Sequence, residues 1–178
     1  QAVIAIENVR LFQELEARTR QLSQSVEELR ALGDVGQAVS STLDLERVLE
    51  TIVSHAVQLS GTDCGVIYEY DEAAKEFYLR ASHRMEAEAV EAVRATPVRV
   101  GEGATGRAVI MREPVQVTDI LDQREYTATR ARPWLTRLGY RSLLSVPLVR
   151  EQQIVGALTV WRRQTGKFKP EVVNLLQT

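Results

Sequence analysis

The sequence predicts an α+β fold: a six-stranded antiparallel sheet with helices packed on it, preceded by a long helix of coiled-coil type. Three observations predict it. Two pairs of β-rich runs are each joined by a short polar turn, which makes the neighbours antiparallel. Helical and strand periodicities alternate along residues 40–178 without the regular strand–helix–strand repeat of a parallel sheet. Residues 2–32 contain neither Gly nor Pro and carry a heptad pattern.

In that first helix Phe12, Leu15, Leu22, Val26 and Leu29 fall at a and d positions, with Thr19 as a polar a position. Glu and Arg fill most outer positions. So narrow a stripe is not buried by one helix alone. It predicts either a parallel partner helix, hence a homodimer, or docking on its own domain. Gly33 and Gly36 interrupt the helix or allow a bend. The boundaries expected are therefore residues 1–36 for a linker or signalling helix and 37–178 for the globular domain. Thr42 or Asp44 then caps a second helix. Its stripe of Leu45, Val48, Leu49, Ile52, Val53, Ala56, Val57 and Leu59 faces a core, and Gly61 closes it.

Cys64–Tyr70 and Glu76–Ser82 form the first hairpin around the polar turn 71–75. Glu86–Ala95 is an Ala- and Glu-rich helix. From Val98 the chain reads as a strand, a glycine turn, a short helix over about 104–112, and a strand ending at Asp119. Thr127–Leu138 is expected to be helical, with Pro133 limiting its regularity. Leu143–Val149 and Ile154–Trp161 form the second hairpin, and Pro147 inside a strand calls for an edge or a bulge. A last helix begins at about residue 168. Starting and stopping inside helical patterns, the chain reads as a piece of a longer polypeptide, with a truncated C-terminal helix.

The bulk properties narrow the function. The 178 residues carry a net charge of −2, with 44% hydrophobic and 26% charged residues. That balance gives no reason to expect nucleic acid as partner. No apolar run reaches the roughly 18 residues of a membrane span, and the first residues lack the pattern of a signal peptide. The single cysteine, Cys64, excludes an intramolecular disulfide and a Cys-rich zinc site. It fits a reducing compartment, so a cytoplasmic location is expected.

Gly101, Gly103 and Gly106 satisfy G-x-G-x-x-G, and Asp119 follows Gly101 by 18 residues. On spacing alone this is a dinucleotide fingerprint. Against that reading, the following helix has about two turns, hairpins dominate the sheet, and no second βαβ unit follows. Two readings remain: a tight turn that lays a short helix against the sheet, or exposed helix N–H groups facing a ligand.

The run Val100-Gly-Glu-Gly-Ala-Thr-Gly-Arg-Ala-Val109, with Glu113-Pro-Val-Gln-Val-Thr-Asp119, resembles the centre of GAF domains. So does Arg141-Ser-Leu-Leu-Ser-Val-Pro-Leu148 followed by Ile154-Val-Gly-Ala-Leu-Thr-Val160. The order of elements agrees over residues 40–178, and Ala5–Phe12 is similar to the exit helix of a preceding signalling domain. The resemblance implies helices on both faces of the sheet, one set supporting dimerisation and the other covering a pocket. It implies signal input rather than catalysis, upstream of an output domain such as a histidine kinase.

Subfamily chemistry is absent from the motifs. The Asp-Ile-Pro of bilin-binding members is Asp119-Ile120-Leu121 here, and Cys64 lacks the adjacent histidine. The Asn-Lys…Phe…Asp-Glu signature of cyclic-nucleotide-binding members has no clear counterpart. One cysteine cannot run the cycle of GAF-type methionine sulfoxide reductases, whose sulfenic acid a second thiol resolves. For haem, His83 is a better candidate ligand than His55. No cofactor is assigned. Cys64 reads as a small core residue, or less simply as a redox thiol. By resemblance, Tyr68, Asp119, Ser145, Thr159 and Trp161 face the pocket, and Tyr126 and Trp134 cover it. The other reading of Tyr68 and Trp161 is packing with no ligand. Arg124, Arg130, Arg132, Arg137 and Arg141 form a solvated helix face or a surface for an anion.

Overall fold

The computed structural model describes residues 2–128 and 130–177, with side chains at 10–11, 13–27, 30, 44–128 and 130–177. Contacts divide the chain into two compact units, Gln1–Leu45 and Glu46–Thr178. Helix α1 (Ala2–Ser60) contributes to both.

In the first unit Leu15, Leu22 and Val26 of the heptad stripe are exposed. Arg18 and Glu14 pair across one turn at 2.8 Å, as expected for a solvated flank. Phe12 and Leu29, the other apolar heptad positions, lie outside the described side chains. The expected break at Gly33 and Gly36 and the new start at Thr42 or Asp44 do not occur, because α1 runs through all four. A glycine inside a helix costs about 1 kcal/mol relative to alanine, which weakens a long helix without ending it. Asp44 is an exposed mid-helix residue; the side chain of Thr42 lies outside the described residues.

The second unit is built on six strands. They are β1 (Cys64–Asp71), β2 (Glu76–His83), β3 (Val98–Arg99), β4 (Val115–Val117), β5 (Ser142–Arg150) and β6 (Gln153–Arg162). Their order across the sheet is β3-β2-β1-β6-β5-β4, with every pair antiparallel. Both hairpins form where polar turns predict them. Asp71 Oδ1 accepts the N–H groups of Ala73 and Ala74 at 2.9 and 3.0 Å, closing the first turn. Glu151 and Gln152 take φ of 49° and 66° in the second, the backbone of a two-residue hairpin turn. Pro147 pairs with Ala157 of β6, but the β4 ladder stops at Ser145, so its missing N–H faces no partner strand.

Side-chain alternation sorts the core into two layers. Ile67, Leu144, Val146, Leu158 and Val160 point to one face, where Val53, Ala56 and Val57 of α1 and Leu176 of α5 (Pro170–Gln177) cover them. Full burial of each of these two valines contributes about 1.5–3 kcal/mol. Cys64, Val66, Tyr68, Leu143 and Trp161 point to the other face. There α2 (Ala87–Ala95), α3 (Gly103–Met111), the segment 118–131 and α4 (Arg132–Arg137) lie over them. Helix α4 is shorter than the expected 127–138 helix. Pro133 stands in its first turn, where a missing N–H is tolerated, and so marks a start rather than an interior position.

The β3–α3–β4 segment is not a βαβ crossover. β3 and β4 occupy opposite edges of the sheet, and α3 lies between them across its face. Nine residues of helix span about 13 Å, against roughly 24 Å for five strand spacings; the glycine turn and residues 112–114 supply the rest. Gly103 has φ +59°, and a Cβ on Gly106 would collide with the Arg99 carbonyl oxygen and approach the Gly101 nitrogen to 2.6 Å. The motif therefore lays α3 tightly onto the chain that precedes it, the structural one of the two readings.

Candidate functional site

A cavity of about 40 Å³ lies between the sheet and its covering helices. Its floor is Tyr68 of β1, Leu143 of β5, and Thr159 and Trp161 of β6. Its walls are Val93 of α2 and Glu102, Gly103, Ala104 and Thr105 at the start of α3. Its roof is Tyr126, Ala128, Arg130, Trp134 and Leu135. Strand alternation explains the floor: Tyr68, Leu143, Thr159 and Trp161 all stand on the same face as Cys64 and Val66.

Of the seven residues singled out by sequence, Tyr68, Tyr126, Trp134, Thr159 and Trp161 meet at this cavity, and Asp119 and Ser145 do not. Asp119 lies just past β4 and binds Arg141, whose Nη2 and Nε donate at 2.7 and 3.2 Å, while its Oδ1 also accepts the Leu121 N–H at 3.0 Å. The Arg141 bonds hold its carboxyl below the usual range. It fastens the end of β4 to the start of β5 instead of reaching inward. Ser145 is buried beside the floor on the same face of the sheet, where its hydroxyl meets Thr159 Oγ1 at 2.9 Å. Thr159 Oγ1 also meets Thr105 Oγ1 at 3.0 Å, so three hydroxyls form a chain that ties α3 to β6 and β5.

The aromatic groups pack edge to face. Trp161 is T-shaped to Trp134 with centroids 6.5 Å apart and tilted to Tyr140 at 6.4 Å. The Trp161 Nε1–H is buried without a partner. Among the described residues, the hydroxyls of Tyr68 and Tyr126 likewise have no hydrogen-bond partner. Burial pushes both hydroxyls well above the ordinary tyrosine range, so they remain proton donors.

Three arginines hold the roof. Arg130 Nε donates to Glu102 Oε1 at 2.9 Å, and its Nη2 donates to Glu102 Oε2 and, at 3.1 Å, to the Pro97 carbonyl. This bond to Arg130 holds the Glu102 carboxyl below its usual value. Arg107 donates to the Gly103 and Glu125 carbonyls at 2.9 and 2.8 Å. Arg132 Nη2 donates to the Tyr126 carbonyl, and its buried Nε has no partner among the described residues. Sequence reasoning missed Glu102, Thr105 and Arg107, and grouped Arg130 and Arg132 with a solvated helix face or a surface for an anion. The basic residues of 124–141 do not share one: Arg124 pairs with Asp122, Arg130 with Glu102, Arg137 with Glu88 and Arg141 with Asp119. The glycine motif itself, which brings Glu102 to the start of α3, was the available signal for the missed carboxylate.

Neither histidine nor Cys64 lines the cavity. His55 is exposed, and His83 Nε2 lies 3.5 Å from Ser54 Oγ on the α1 side. Burial pushes the Cys64 thiol up to about 12. Among the described residues, no group of three or more His, Cys, Asp or Glu side chains could hold a metal ion. Among them, too, no helix is long and apolar enough to cross a membrane.

No curated protein matches the chain in sequence. Solved structures do match in fold. A GAF/HD domain protein from Geobacter sulfurreducens superposes with a TM-score of 0.64 at 20% identity, covering 78% of this chain and 88% of that one. A domain assigned to a two-component sensor histidine kinase from Sinorhizobium meliloti gives 0.58 at 20% identity, covering 74% and 82%. The type II free methionine-R-sulfoxide reductase from Thermoplasma acidophilum gives 0.60 at 14% identity, covering 76% and 86%. These likenesses are of fold. The GAF domain family model matches residues 42–178. With the antiparallel sheet, the helices on both faces and the lidded cavity, that match shows that the chain belongs to the GAF domain family.

Proposed function

We propose that this chain is a non-catalytic sensory module of a signalling protein. A small molecule in the cavity changes how the roof packs on the sheet. The change biases the pairing of the flanking helices in a homodimer, and they pass it to an output domain such as a histidine kinase. The observation that carries this reading is convergence: both tryptophans of the chain, two tyrosines whose hydroxyls have no hydrogen-bond partner among the described residues, and a buried hydroxyl chain meet at one covered cavity. A few polar groups on apolar, aromatic walls is the ordinary make-up of a small-molecule site. The exposed heptad positions Leu15, Leu22 and Val26 support the homodimer. We place the module in the cytoplasm, in keeping with its single unpaired thiol.

Cys64 argues against the chemistry of the reductase relative. A thiol whose pKa is raised to about 12 is almost wholly protonated at neutral pH, and the chain supplies no second cysteine to resolve a sulfenic acid. A cyclic nucleotide needs a pocket on the order of 300 Å³ or more, so it would enter only after the roof opened. The cavity's small volume favours one further reading, a dimerisation module whose pocket is filled by its own side chains.

Tryptophan emission and thermal melting, measured across a small-molecule panel, separate the two. The sensory reading predicts a saturable emission change together with a raised melting temperature for at least one compound class. No emission change and no melting shift with any compound leaves the dimerisation module.

A further inference from the structure

The cavity's hydrogen-bonding groups are lopsided. Trp161 Nε1 is a donor only, is buried and has no acceptor among the described residues. Tyr68 and Tyr126 bring two hydroxyls that remain protonated because burial opposes their ionisation. Thr105, Thr159 and Ser145 share two hydrogen bonds among three hydroxyl protons, which leaves one proton uncommitted among these three groups. The carboxylate at the rim, Glu102, is occupied by Arg130 and by the Arg99 N–H at 3.2 Å. Among the described residues the site thus offers a donor-only indole N–H without an acceptor and hydroxyl protons not committed elsewhere, beside a carboxylate already bound at both oxygens.

Charge leans the same way. Glu102 is paired with Arg130. Arg107 and Arg132 bind backbone carbonyls, and among the described residues neither has a carboxylate within ion-pair distance. The Arg132 guanidinium carbon lies 5.9 Å from the centre of the Tyr126 ring. Its buried Nε–H is one more donor without an acceptor. Two guanidinium groups that are bound to carbonyls therefore stand near Tyr126, opposed by the paired Glu102 carboxylate. An acceptor-rich anion gains charge-assisted hydrogen bonds from these donors and attraction from the two guanidinium groups.

Size completes the argument. A cavity of about 40 Å³ has room for a few probe-sized centres at roughly 10–15 Å³ each. We infer that the cavity takes a compact oxyanion, held by Tyr68, Tyr126 and Trp161, with Arg107 and Arg132 near Tyr126. This inference rests on the sensory reading of the same cavity and names the class of its ligand.

The test uses residues 1–178 intact and reads tryptophan emission. Sodium formate and sodium acetate are titrated against formamide and acetamide, which match them in shape but carry no charge, with sodium chloride matching ionic strength. Saturable changes with the carboxylates and none with the amides are expected. Tyr126→Phe, which keeps the ring and removes one donor, is expected to weaken carboxylate binding about tenfold or more. Tyr68→Phe provides the same comparison if Tyr126→Phe does not fold, and circular dichroism checks both. Binding of the amides alone, or of amides and carboxylates equally, overturns the oxyanion class while leaving the sensory cavity standing. Carboxylate binding that neither variant weakens overturns the assignment of the donors. No response to these four probes overturns the inference as well, and no response to any compound of a wider panel overturns the sensory reading beneath it.

Discussion

Replacing Arg130 by Gln should loosen the roof of the cavity. Arg130 joins the segment that covers the cavity to the glycine turn 28 residues earlier, through two bonds to Glu102 and one to the Pro97 carbonyl. A buried charge-assisted bond is worth about 1.5–3 kcal/mol, and a fully exposed ion pair about 0.2–1 kcal/mol. The Arg130 side chain is 37% exposed and that of Glu102 20%, so the latch belongs between these limits, at about 1–2 kcal/mol. Hydrogen exchange reads it directly. The amides of Thr118, Ile120, Glu125 and Tyr126 are hydrogen-bonded within the roof or to its anchors. In Arg130→Gln they should exchange about 5- to 30-fold faster, the equivalent of 1–2 kcal/mol. A cycle with Glu102→Gln should show a coupling of the same size. Unchanged exchange at these four amides, or effects of the two substitutions that simply add, would refute the latch.

Further predictions follow from the same geometry. Arg130 holds the Glu102 carboxyl below its ordinary value, so the latch contributes stability above the unfolded carboxyl's pKa of about 4.3. That contribution is lost as pH falls through the lower folded value. Faster exchange of the roof amides, after correction for intrinsic rates, should appear below about pH 4.3 in the wild type and be much reduced in Arg130→Gln. Gly106→Ala should destabilise the domain by about 2 kcal/mol or more in urea unfolding, because its Cβ meets backbone atoms of Arg99 and Gly101 that have no side-chain freedom to yield. Cys64 should resist a thiol reagent at pH 8 in the native state and react promptly in denaturant, since it is fully buried and its pKa is raised to about 12. Rapid native labelling at pH 8 would contradict that burial. Removing residues 1–45 should convert a dimer to a monomer in sedimentation at micromolar concentration, and two constant monomeric masses would remove the heptad interpretation.

Much of the fold was legible because local chemistry and long-range packing agree. The first hairpin follows from β-branched and aromatic runs about a polar turn, and Asp71 closes that turn with its own carboxylate. The family resemblance placed Tyr68, Thr159 and Trp161 toward the pocket, and the structure puts all three at the cavity. What stayed hidden depends on partners distant in sequence. Asp119 is occupied by Arg141, 22 residues on, and Glu102 by Arg130, 28 residues on; neither pairing leaves a local pattern. Ser145 shares the inward face, but Thr159 stands between its hydroxyl and Thr105. Of the two expectations at Gly33 and Gly36, an interruption or a bend, the interruption does not occur, and sequence misplaced one start. Gly33 and Gly36 weaken α1 without ending it, and Pro133 opens α4 at a position where its missing N–H is tolerated. The strand order was the largest gap. That β3 and β4 lie on opposite edges, with α3 between them across the face, cannot be read from a glycine motif that also suits a parallel crossover.

The central claim is that occupancy of the cavity and pairing of the helices are linked. The dimer dissociation constant of residues 1–178, measured with and without a saturating cavity ligand found by tryptophan emission, tests it most directly. Linkage requires that a ligand which shifts the helices also be bound more tightly by one of the two association states, by the same factor. The account predicts a change of about fivefold or more in the dissociation constant, and an equal reciprocal change in ligand affinity between dilute and concentrated protein. A ligand that fills the cavity and leaves the dissociation constant unchanged would contradict it.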